Sequence, residues 1–350
     1  MNSARLFRAG LVTAVGLSAG TAQAWVSKDI RDWRVECTNG LTCEMGFTDW
    51  EAKGVQSVGF QRGGAPNAPV RLKLRVAPDL SPGSRPEAAY RFLVDGKEVL
   101  VLNAGDLQPD EYGSSFLHAD QAKVLALMDA METGSAMEIA VDGGKDTRTS
   151  PVKLSGVKAA MLYIDEVQDR LGRTDALEAR GDRTPPADAM ARDIGSLDDL
   201  PKIVRKDFTD SGGACADMEP GTIGRFDGFD IASDDVRLIV VPCGVGGAYN
   251  QPYAIYVGYD VIVERISFPL MVDGRPTTTS TAYNIGFDPK TKEMTSFFKG
   301  RGIGDCGQFY KWRFNDGQFR LELLEERAKD ECDEKEGGPE TFPIVWRAKP

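Results

Sequence analysis

Six cysteines constrain this chain more than any other residue type does. They are Cys37, Cys43, Cys215, Cys243, Cys306 and Cys332, and all of them follow an N-terminal leader. An even cysteine count in an exported chain predicts structural disulfides rather than metal ligands or redox thiols. Six cysteines allow fifteen connectivities. We expect local pairing, because the first two cysteines flank a short turn between alternating arms. The expected pairs are Cys37 with Cys43, Cys215 with Cys243, and Cys306 with Cys332.

The first 24 residues have the three parts of a secretory signal peptide. Arg5 and Arg8 form a basic region, residues 11–17 with their neighbours form an apolar segment too short to span a bilayer, and small residues precede the expected cleavage site. We expect cleavage near Ala24, which makes Trp25 the first residue of the mature chain. No later apolar run has the length of a transmembrane helix. The leader therefore predicts a periplasmic or secreted protein without stable membrane insertion.

The mature chain is strongly acidic. Removal of the leader takes two arginines from 42 basic residues and none from 53 acidic residues, so 40 basic against 53 acidic residues leave a net charge of −13. Such a surface repels phosphate backbones and anionic lipids. We therefore expect no nucleic acid partner. A basic protein, a cation or a neutral ligand suits this charge, and the expected partner is an envelope protein or a small envelope ligand.

The hydrophobic pattern predicts an α+β, predominantly β fold with two β-rich units and a few short helices. We expect the first unit at residues 25–173 and the second at residues 205–350. Residues 174–204 between them are rich in small and charged residues, glycine and proline, which predicts a linker or a loosely packed surface segment. Asp120 is the expected N-cap of one helix. Helical spacing of apolar residues predicts a second helix over residues 157–171.

The sequence constrains the backbone most strongly at residues 298–307, F-K-G-R-G-I-G-D-C-G, which contain four glycines in ten residues. Glycine permits positive φ, so we expect all four to serve a sharp turn that lies close to another backbone or a ligand. Gly302, Gly304 and Gly307 also match the dinucleotide fingerprint G-x-G-x-x-G, which requires a following helix. Alternating residues and an Asn-Asp-Gly turn predict a β-hairpin there instead. We therefore expect no cofactor.

Charged groups in this segment have two possible roles. A disulfide-pinned loop can hold Arg301 and Asp305 in a mutual ion pair, or it can display the planar guanidinium to a carboxylate of a partner. The stretch P-C-G-V-G-G-A-Y-N ends at Asn250 and adds two more polar side chains. The candidate binding residues of this part of the chain are Arg301, Gly302, Gly304, Asp305, Tyr249 and Asn250.

The predicted second helix adds Asp165 and Arg170 as candidates. Asp165, Glu166 and Asp169 lie opposite its apolar face, and Arg170 follows Glu166 at i+4. This spacing favours a solvated, ion-paired face, with a recognition surface as the alternative.

Aromatic residues of the second unit can line a ligand groove or pack in the core and across strands, and their strand-like alternation favours packing. They are Tyr249, Tyr253, Tyr256, Tyr259, Tyr310 and Trp312.

The sequence contains few signs of a catalytic or metal site. His118 is the single histidine, and no nucleophile elbow accompanies it. One histidine and disulfide-bonded cysteines leave too few ligands for a tetrahedral zinc site, so we expect no metal. A pair of carboxylates about 5–10 Å apart, as in glycosidases, can hide among so many acids. An envelope hydrolase with such a pair is the alternative to a binding protein.

Three segments resemble the bacterial exported family called domain of unknown function 1176 in content and order. They are residues 154–170, residues 242–250 and residues 287–307. The first half, with D-W-R-V-E-C at residues 32–37, also resembles the invasion-associated locus B domain. Neither family supplies an activity, and the resemblance implies a periplasmic protein with structural disulfides. We expect a non-enzymatic binding or protein-interaction module of the cell envelope.

Overall fold

Antiparallel β-sheets dominate the structure. The computed structural model describes residues 26–110, 113–144, 146–187, 190–226, 228–233, 236–272, 274–334 and 338–349. These residues contain three α-helices among many strands, which confirms the predicted α+β, predominantly β class. The predicted signal peptide lies outside the described residues. Within them, no helix has both the length and the apolar composition needed to cross a membrane.

The first part of the chain builds two antiparallel sheets and two helices. Its elements are β1 (Val26–Ile30), β2 (Trp33–Cys37), β3 (Cys43–Thr48), β4 (Val55–Arg62), β5 (Val70–Val76), β6 (Ala89–Val94), β7 (Lys97–Asn103), β8 (Gln108–Pro109), β9 (Phe116–His118), α1 (Gln121–Thr133), β10 (Met137–Asp142), β11 (Thr147–Val152) and α2 (Val157–Val167). Strands β1-β2-β3-β4-β5-β9-β8 form a seven-stranded sheet, and β11-β10-β6-β7 form a four-stranded sheet. Helix α1 packs on β5, β6 and β7, and α2 packs on β2 and β3.

Local sequence explains two of these elements. On β2, Trp33 and Val35 are buried while Arg34 and Glu36 are exposed, as the period of two of a half-buried strand requires. Asp120 is the N-cap of α1, as predicted, and its carboxylate accepts a hydrogen bond from the Lys123 N–H.

The second part of the chain builds a six-stranded sheet, a five-stranded sheet and a separate hairpin. Its elements are β12 (Ala191–Ile194), α3 (Lys202–Thr209), β13 (Gly228–Ser233), β14 (Val236–Pro242), β15 (Pro252–Tyr259), β16 (Ile262–Arg265), β17 (Phe268–Val272), β18 (Arg275–Thr279), β19 (Ala282–Tyr283), β20 (Ile285–Asp288), β21 (Glu293–Lys299), β22 (Gly307–Asn315), β23 (Arg320–Lys329) and β24 (Ile344–Arg347). The orders are β12-β13-β14-β15-β16, with β19 also paired to β15, and β20-β21-β22-β23-β24. Among the described strands, β17 and β18 pair with each other and with no third strand.

The sequence of strand β14 is almost continuously apolar because both faces of the strand are covered. Leu238 and Val240 point into the main hydrophobic cluster, which also contains Trp33 of the first sheet. Ile239 and Val241 point the other way, into a smaller cluster beneath α3. A strand buried on both faces loses the alternation of a half-buried strand.

The two parts of the chain are joined at the turn between β2 and β3. Asn39 Nδ2 donates to the Ile285 carbonyl at 3.1 Å, and Asn39 Oδ1 accepts from the Phe287 N–H at 2.8 Å. The next residue, Gly40, donates its N–H to the Asp193 carboxylate at 3.2 Å. A Cβ on Gly40 would lie 2.2 Å from the Asp193 nitrogen, so only glycine fits this close approach.

The predicted linker is not loosely packed. Its described residues within 174–204 include β12, which pairs with β13 from Ala191 to Ile194. Leu177 is buried in the main hydrophobic cluster. Small and charged residues resemble a linker in composition, but here they are held by partners that are distant in the sequence. The domain boundaries around this segment stay a prediction.

The three predicted disulfides are confirmed. They are Cys37–Cys43, Cys215–Cys243 and Cys306–Cys332. No free cysteine occurs in the described chain. On the chain-entropy model, loops of these lengths give roughly 2–4 kcal/mol of stabilisation each, which is large beside the net stability of a domain.

Asn39→Ala should lower the free energy of unfolding by about 2–4 kcal/mol, because it leaves a buried N–H and a buried C=O of β20 without their partner. Urea denaturation of the oxidised protein measures this change. Gln318→Ala is the matched control, since this exposed amide makes no side-chain hydrogen bond to the described residues and its loss should cost less than about 0.5 kcal/mol. Equal effects of the two substitutions would contradict a structural role for the Asn39 amide.

Candidate functional site

Two loops meet in the second part of the chain. The glycine loop, residues 299–307, connects β21 to β22, and the Tyr249 loop, residues 243–251, connects β14 to β15. Asn250 Nδ2 donates to the Lys299 carbonyl at 2.9 Å, and Asn250 Oδ1 accepts from the Lys299 N–H at 2.9 Å. The Tyr249 hydroxyl donates to the Gly300 carbonyl at 3.3 Å. Because one amide side chain satisfies both backbone groups of Lys299, the two loops have a fixed relative position.

Asn284 strengthens the same junction from the connection between β19 and β20. It has a positive φ of 48°, which asparagine adopts more readily than most residues. Its Nδ2 lies within hydrogen-bonding distance of the Tyr249 carbonyl, the Phe297 carbonyl and Asn250 Oδ1, at 3.0, 2.9 and 3.0 Å. Asn284 therefore ties both loops to a third segment of the chain.

Arg301 and Asp305 pair with each other inside the glycine loop. Nε and Nη2 of Arg301 donate to the two carboxylate oxygens of Asp305 at 2.8 and 2.6 Å. Asp305 also accepts from the Glu334 N–H at 2.7 Å, near the Cys306–Cys332 disulfide. The hydrogen bond from Arg301, supported by the one from Glu334, holds the pKa of the Asp305 carboxyl far below its usual range. Of the two expected roles, the mutual ion pair is the one present in the structure.

The four glycines of this loop serve different purposes. Gly304 and Gly307 have positive φ values of 73° and 137°, as expected. Gly300 does not, but a Cβ there would lie 2.7 Å from a disulfide sulfur. Gly302 has room for a Cβ, which would meet Tyr249 Cδ1 at an ordinary van der Waals distance of 3.5 Å. The expectation that positive φ explains all four glycines is wrong for Gly300 and Gly302.

A groove lies beside this junction, between the β17–β18 hairpin and one face of the five-stranded sheet. Its volume is about 250 Å³. Four aromatic side chains line it, and they are Tyr283, Phe298, Tyr310 and Trp312. Phe298 directly precedes Lys299, which Asn250 holds, and Tyr283 directly precedes Asn284. The loop junction therefore fixes the backbone at one end of the groove.

Strand alternation and two long-range hydrogen bonds create the groove. Every second residue of β22 points to the same side, which places Tyr310 and Trp312 together. Trp312 Nε1 donates to the Pro269 carbonyl at 2.7 Å, and the Met271 N–H donates to the Glu326 carboxylate at 3.2 Å. These bonds attach the hairpin across the sheet. Because β17 and β18 pair with no other described strand, the space beside them stays open.

The groove deepens along β22. At its mouth, Phe298 is 39% exposed and Gln308 is also exposed. At the inner end, Trp312 is only 1% exposed and Ser296 is buried. Four residues spanned along the strand correspond to roughly 13 Å from Gln308 to Trp312.

The described residues that line the groove are uncharged. Its aromatic rings contact one another, with Tyr310 stacked on Trp312 at 5.5 Å and Tyr283 edge-on to Phe298 at 5.0 Å between ring centroids. Burial, with the nearby Glu326 carboxylate, raises the pKa of Tyr310 to about 12. The remaining polar groups are hydroxyls and an amide, from Thr279, Thr281, Tyr283, Ser296 and Gln308. A neutral ligand with hydrogen-bonding groups suits such a lining.

The six aromatic residues considered from the sequence have different environments. Tyr310 and Trp312 line the groove, and Tyr249 lies in the adjoining loop. Tyr253 and Tyr256 are buried, and Tyr259 is exposed and packs edge-on against Phe319. The sequence patterns did not identify Tyr283, Phe298 and Gln308 as groove residues. Period-two alternation along β21 and β22 is the signal that identifies the last two as neighbours of Tyr310.

Asp165 and Arg170 are not surface residues, contrary to the prediction of a solvated helix face. Helix α2 ends at Val167 instead of continuing to residue 171, and both side chains have 0% exposure. The Asp165 carboxylate accepts hydrogen bonds from three backbone N–H groups at residues 177–179, at 2.7, 2.8 and 3.0 Å. A buried carboxylate that serves three N–H groups has a structural role, because it orders the segment that follows the helix.

Arg170 belongs to a buried ionic cluster. Its guanidinium donates to the Asp175 carboxylate and to the carbonyls of residues 63–65, the latter at 3.1, 3.2 and 2.7 Å. Arg62 and Arg173 also face Asp175. Burial lowers the pKa of Arg62 to about 10. For Asp175, burial acts to raise the pKa, but the hydrogen bonds from its arginine partners outweigh it and the pKa is lowered. The cluster attaches the end of β4 to the chain beyond α2.

The other candidates for catalysis or metal binding have structural roles. His118 is buried, and its Nδ1 lies 3.0 Å from the Asp106 carbonyl. Asp305, Cys306 and Cys332 come together, but both sulfurs belong to a disulfide and cannot bind a metal ion as thiolates.

A second, wide cavity of about 580 Å³ lies at the start of α2, where Lys158 is paired with Glu132 and Glu178.

Comparison with known proteins confirms the family that the three sequence segments resemble. The family model described as "Protein of unknown function (DUF1176)" matches residues 27–349, which is most of the 350 residues. The chain belongs to the DUF1176 family. The chain is also similar to "Uncharacterized protein YpfG" of Escherichia coli strain K12. The two are 29% identical over 353 residues, which cover 93% of this chain and 95% of that protein.

One solved structure shows a weaker likeness. It is described as invasion associated protein B from Bartonella henselae, and it matches 41% of this DUF1176 chain and 99% of its own length, with 15% identity and a TM-score of 0.31. The resemblance expected from the first half is found at this low level.

Gly307→Ala should destabilise the protein, whereas Gly302→Ala should not. Alanine at position 307 has to adopt a φ of 137° and places its Cβ 2.1 Å from the Phe298 carbonyl oxygen. We expect a loss of about 2 kcal/mol or more in unfolding free energy for Gly307→Ala. For Gly302→Ala we expect a change within about 0.5 kcal/mol. Urea denaturation of both oxidised variants decides, and equal losses would show that the loop geometry is wrong.

Asp165→Ala should cost about 3 kcal/mol or more of unfolding free energy, because three backbone N–H groups lose their shared acceptor. Glu166→Ala is the matched control on the same helix. Glu166 is exposed and should change stability by less than about 0.5 kcal/mol. Thermal unfolding of the two variants tests the difference. A solvated helix face predicts the same small effect for both substitutions.

Proposed function

We propose that the mature protein is an exported, non-enzymatic binding protein of the cell envelope that holds a small neutral ligand in the aromatic groove. The uncharged, partly aromatic lining between the β17–β18 hairpin and the sheet is the observation that carries this proposal. Ligand sites are typically concave and rich in aromatic side chains, with a few polar groups that orient the ligand. The groove has each of these properties.

The size of the groove and the rigidity around it support a small ligand. Its volume of about 250 Å³ lies just under the range of about 300–1,000 Å³ that is usual for drug-sized ligands. Asn250 and Asn284 hold the backbone at its mouth, and Trp312 attaches the hairpin through Pro269. Walls that are ordered before binding reduce the entropy lost when a ligand is held.

Export of the protein has independent support. Three disulfides join all six cysteines, and such bonds persist in oxidising compartments outside the cytoplasm. The basic, apolar and small-residue parts of the first 24 residues are typical of a signal peptide. Both observations suit a periplasmic or secreted protein whose partner is a component of the envelope.

Binding suits this groove better than hydrolysis does. A glycosidase of the usual kind needs two carboxyl groups about 5–10 Å apart on either side of the bond that is cleaved. Among the described residues that line the groove, there is no carboxylate. The nearby Glu326 is engaged by the Met271 N–H, and its burial raises its pKa. An envelope hydrolase therefore remains the second candidate only for a site elsewhere in the chain.

A screen of small neutral and charged compounds by saturation-transfer NMR tests the proposal on the oxidised mature protein. We expect uncharged compounds to bind and Tyr310→Ala to weaken them at least tenfold, because this ring forms one wall of the groove. Trp50→Ala is the matched control, since Trp50 is an exposed aromatic residue at 65% exposure in the first part of the chain. Bound compounds that are indifferent to Tyr310→Ala, or a preference for charged compounds, would contradict the proposal.

A further inference from the structure

We infer that the ligand of the aromatic groove is a single uncharged sugar ring in the pyranose form. This inference rests on the proposed binding function and specifies the chemical class of its ligand. The groove offers aromatic surface and neutral hydrogen-bonding groups within one small space, and a pyranose presents the complementary combination of C–H faces and hydroxyl rim.

Aromatic surface is available for the faces of a sugar ring. Each face of a pyranose carries several C–H bonds, whose partial positive charge suits the negative face of an aromatic ring. Tyr310 continues the stack that begins with the buried Trp312, at 5.5 Å and 18° between planes. Phe298 and Tyr283 supply further ring surface near the mouth. The groove volume of about 250 Å³ suits a ligand of one ring that lies against these side chains.

Polar groups with unused hydrogen-bonding capacity surround the same space. The amide oxygen of Gln308 accepts from the Tyr310 hydroxyl at 3.1 Å, which leaves Gln308 Nε2 without a partner among the described residues. The Thr281 and Tyr283 hydroxyls also make no hydrogen bond to the described chain. Sugar hydroxyls donate and accept equally well, so they can satisfy an amide donor and two hydroxyl groups together.

Other ligand classes fit this lining less well. Among the described lining residues, an anion finds no cationic side chain and a cation finds no carboxylate. A purely apolar ligand, such as a peptide side chain, would cover Thr281, Tyr283 and Gln308 without replacing their bonds to water, which costs about 1–3 kcal/mol for each group. A neutral ring that carries hydroxyls avoids both penalties.

A titration with defined probes tests the inference. The oxidised mature protein is titrated by saturation-transfer NMR with the methyl pyranosides of glucose, galactose, mannose and N-acetylglucosamine, with glucuronate as a charged sugar and cyclohexylmethanol as an apolar ring. We expect at least one methyl pyranoside to bind, with saturation strongest on the C–H groups of one ring face. We expect Tyr310→Ala to weaken its affinity at least tenfold and Gln308→Ala about threefold to tenfold, with Trp50→Ala unchanged.

The outcomes separate this inference from the function on which it rests. Binding of cyclohexylmethanol that depends on Tyr310, with no binding of any pyranoside, overturns the sugar inference and leaves a neutral-ligand groove. Equal binding of glucuronate and the pyranosides overturns the requirement for an uncharged sugar. Failure of every neutral probe overturns both proposals. Should Tyr310→Ala fold poorly by near-ultraviolet circular dichroism, the exposed Gln308→Ala still decides, because pyranoside binding that it leaves unchanged contradicts the inference.

Discussion

The Asn39 side chain satisfies two backbone groups of β20 from a turn that belongs to the first sheet. The partners are 246 residues apart in sequence, and the bonds are buried. The Cys37–Cys43 disulfide keeps the turn narrow, and Gly40 lets it approach Asp193 without a side chain between them. A shared hydrophobic cluster can then extend from Trp33 through both parts of the chain. Without this contact, each part would present apolar surface to water.

Side-chain amides have a similar role around the groove. Asn250 and Asn284 bond to backbone groups of other segments, as Asn39 does, and thereby hold loops that regular pairing leaves free. An amide carries both donor and acceptor, so it can replace a missing strand neighbour. The ion pair of Arg301 with Asp305 and the Cys306–Cys332 disulfide restrain the remaining part of the glycine loop. The mouth of the groove is consequently built from fixed loops.

Local chemistry made part of this structure predictable. The disulfide pairs, the Asp120 helix cap and the sharp glycine loop follow from residues that are close in sequence. Asp165 shows what local patterns miss. Helical spacing placed it on a polar face, but the chain after α2 folds back over that face and supplies three N–H groups to its carboxylate. Periodicity reports which residues share a face, and it does not report what later covers that face.

The groove was hidden for the same reason, since β17–β18 crosses the sheet through a contact between Pro269 and Trp312 that no spacing rule contains. The long reach of Asn39 also bears on the order in which this protein can fold. The partner of Asn39 lies 246 residues further along the chain, so a chain delivered from its N-terminus contains this partner only after most of its length has arrived. Until then, the hydrophobic cluster that both parts of the chain share lacks the side chains of the second part. The early half of the chain must therefore be kept from aggregating until its C-terminal half arrives, and its folding is completed from the end that is synthesised last.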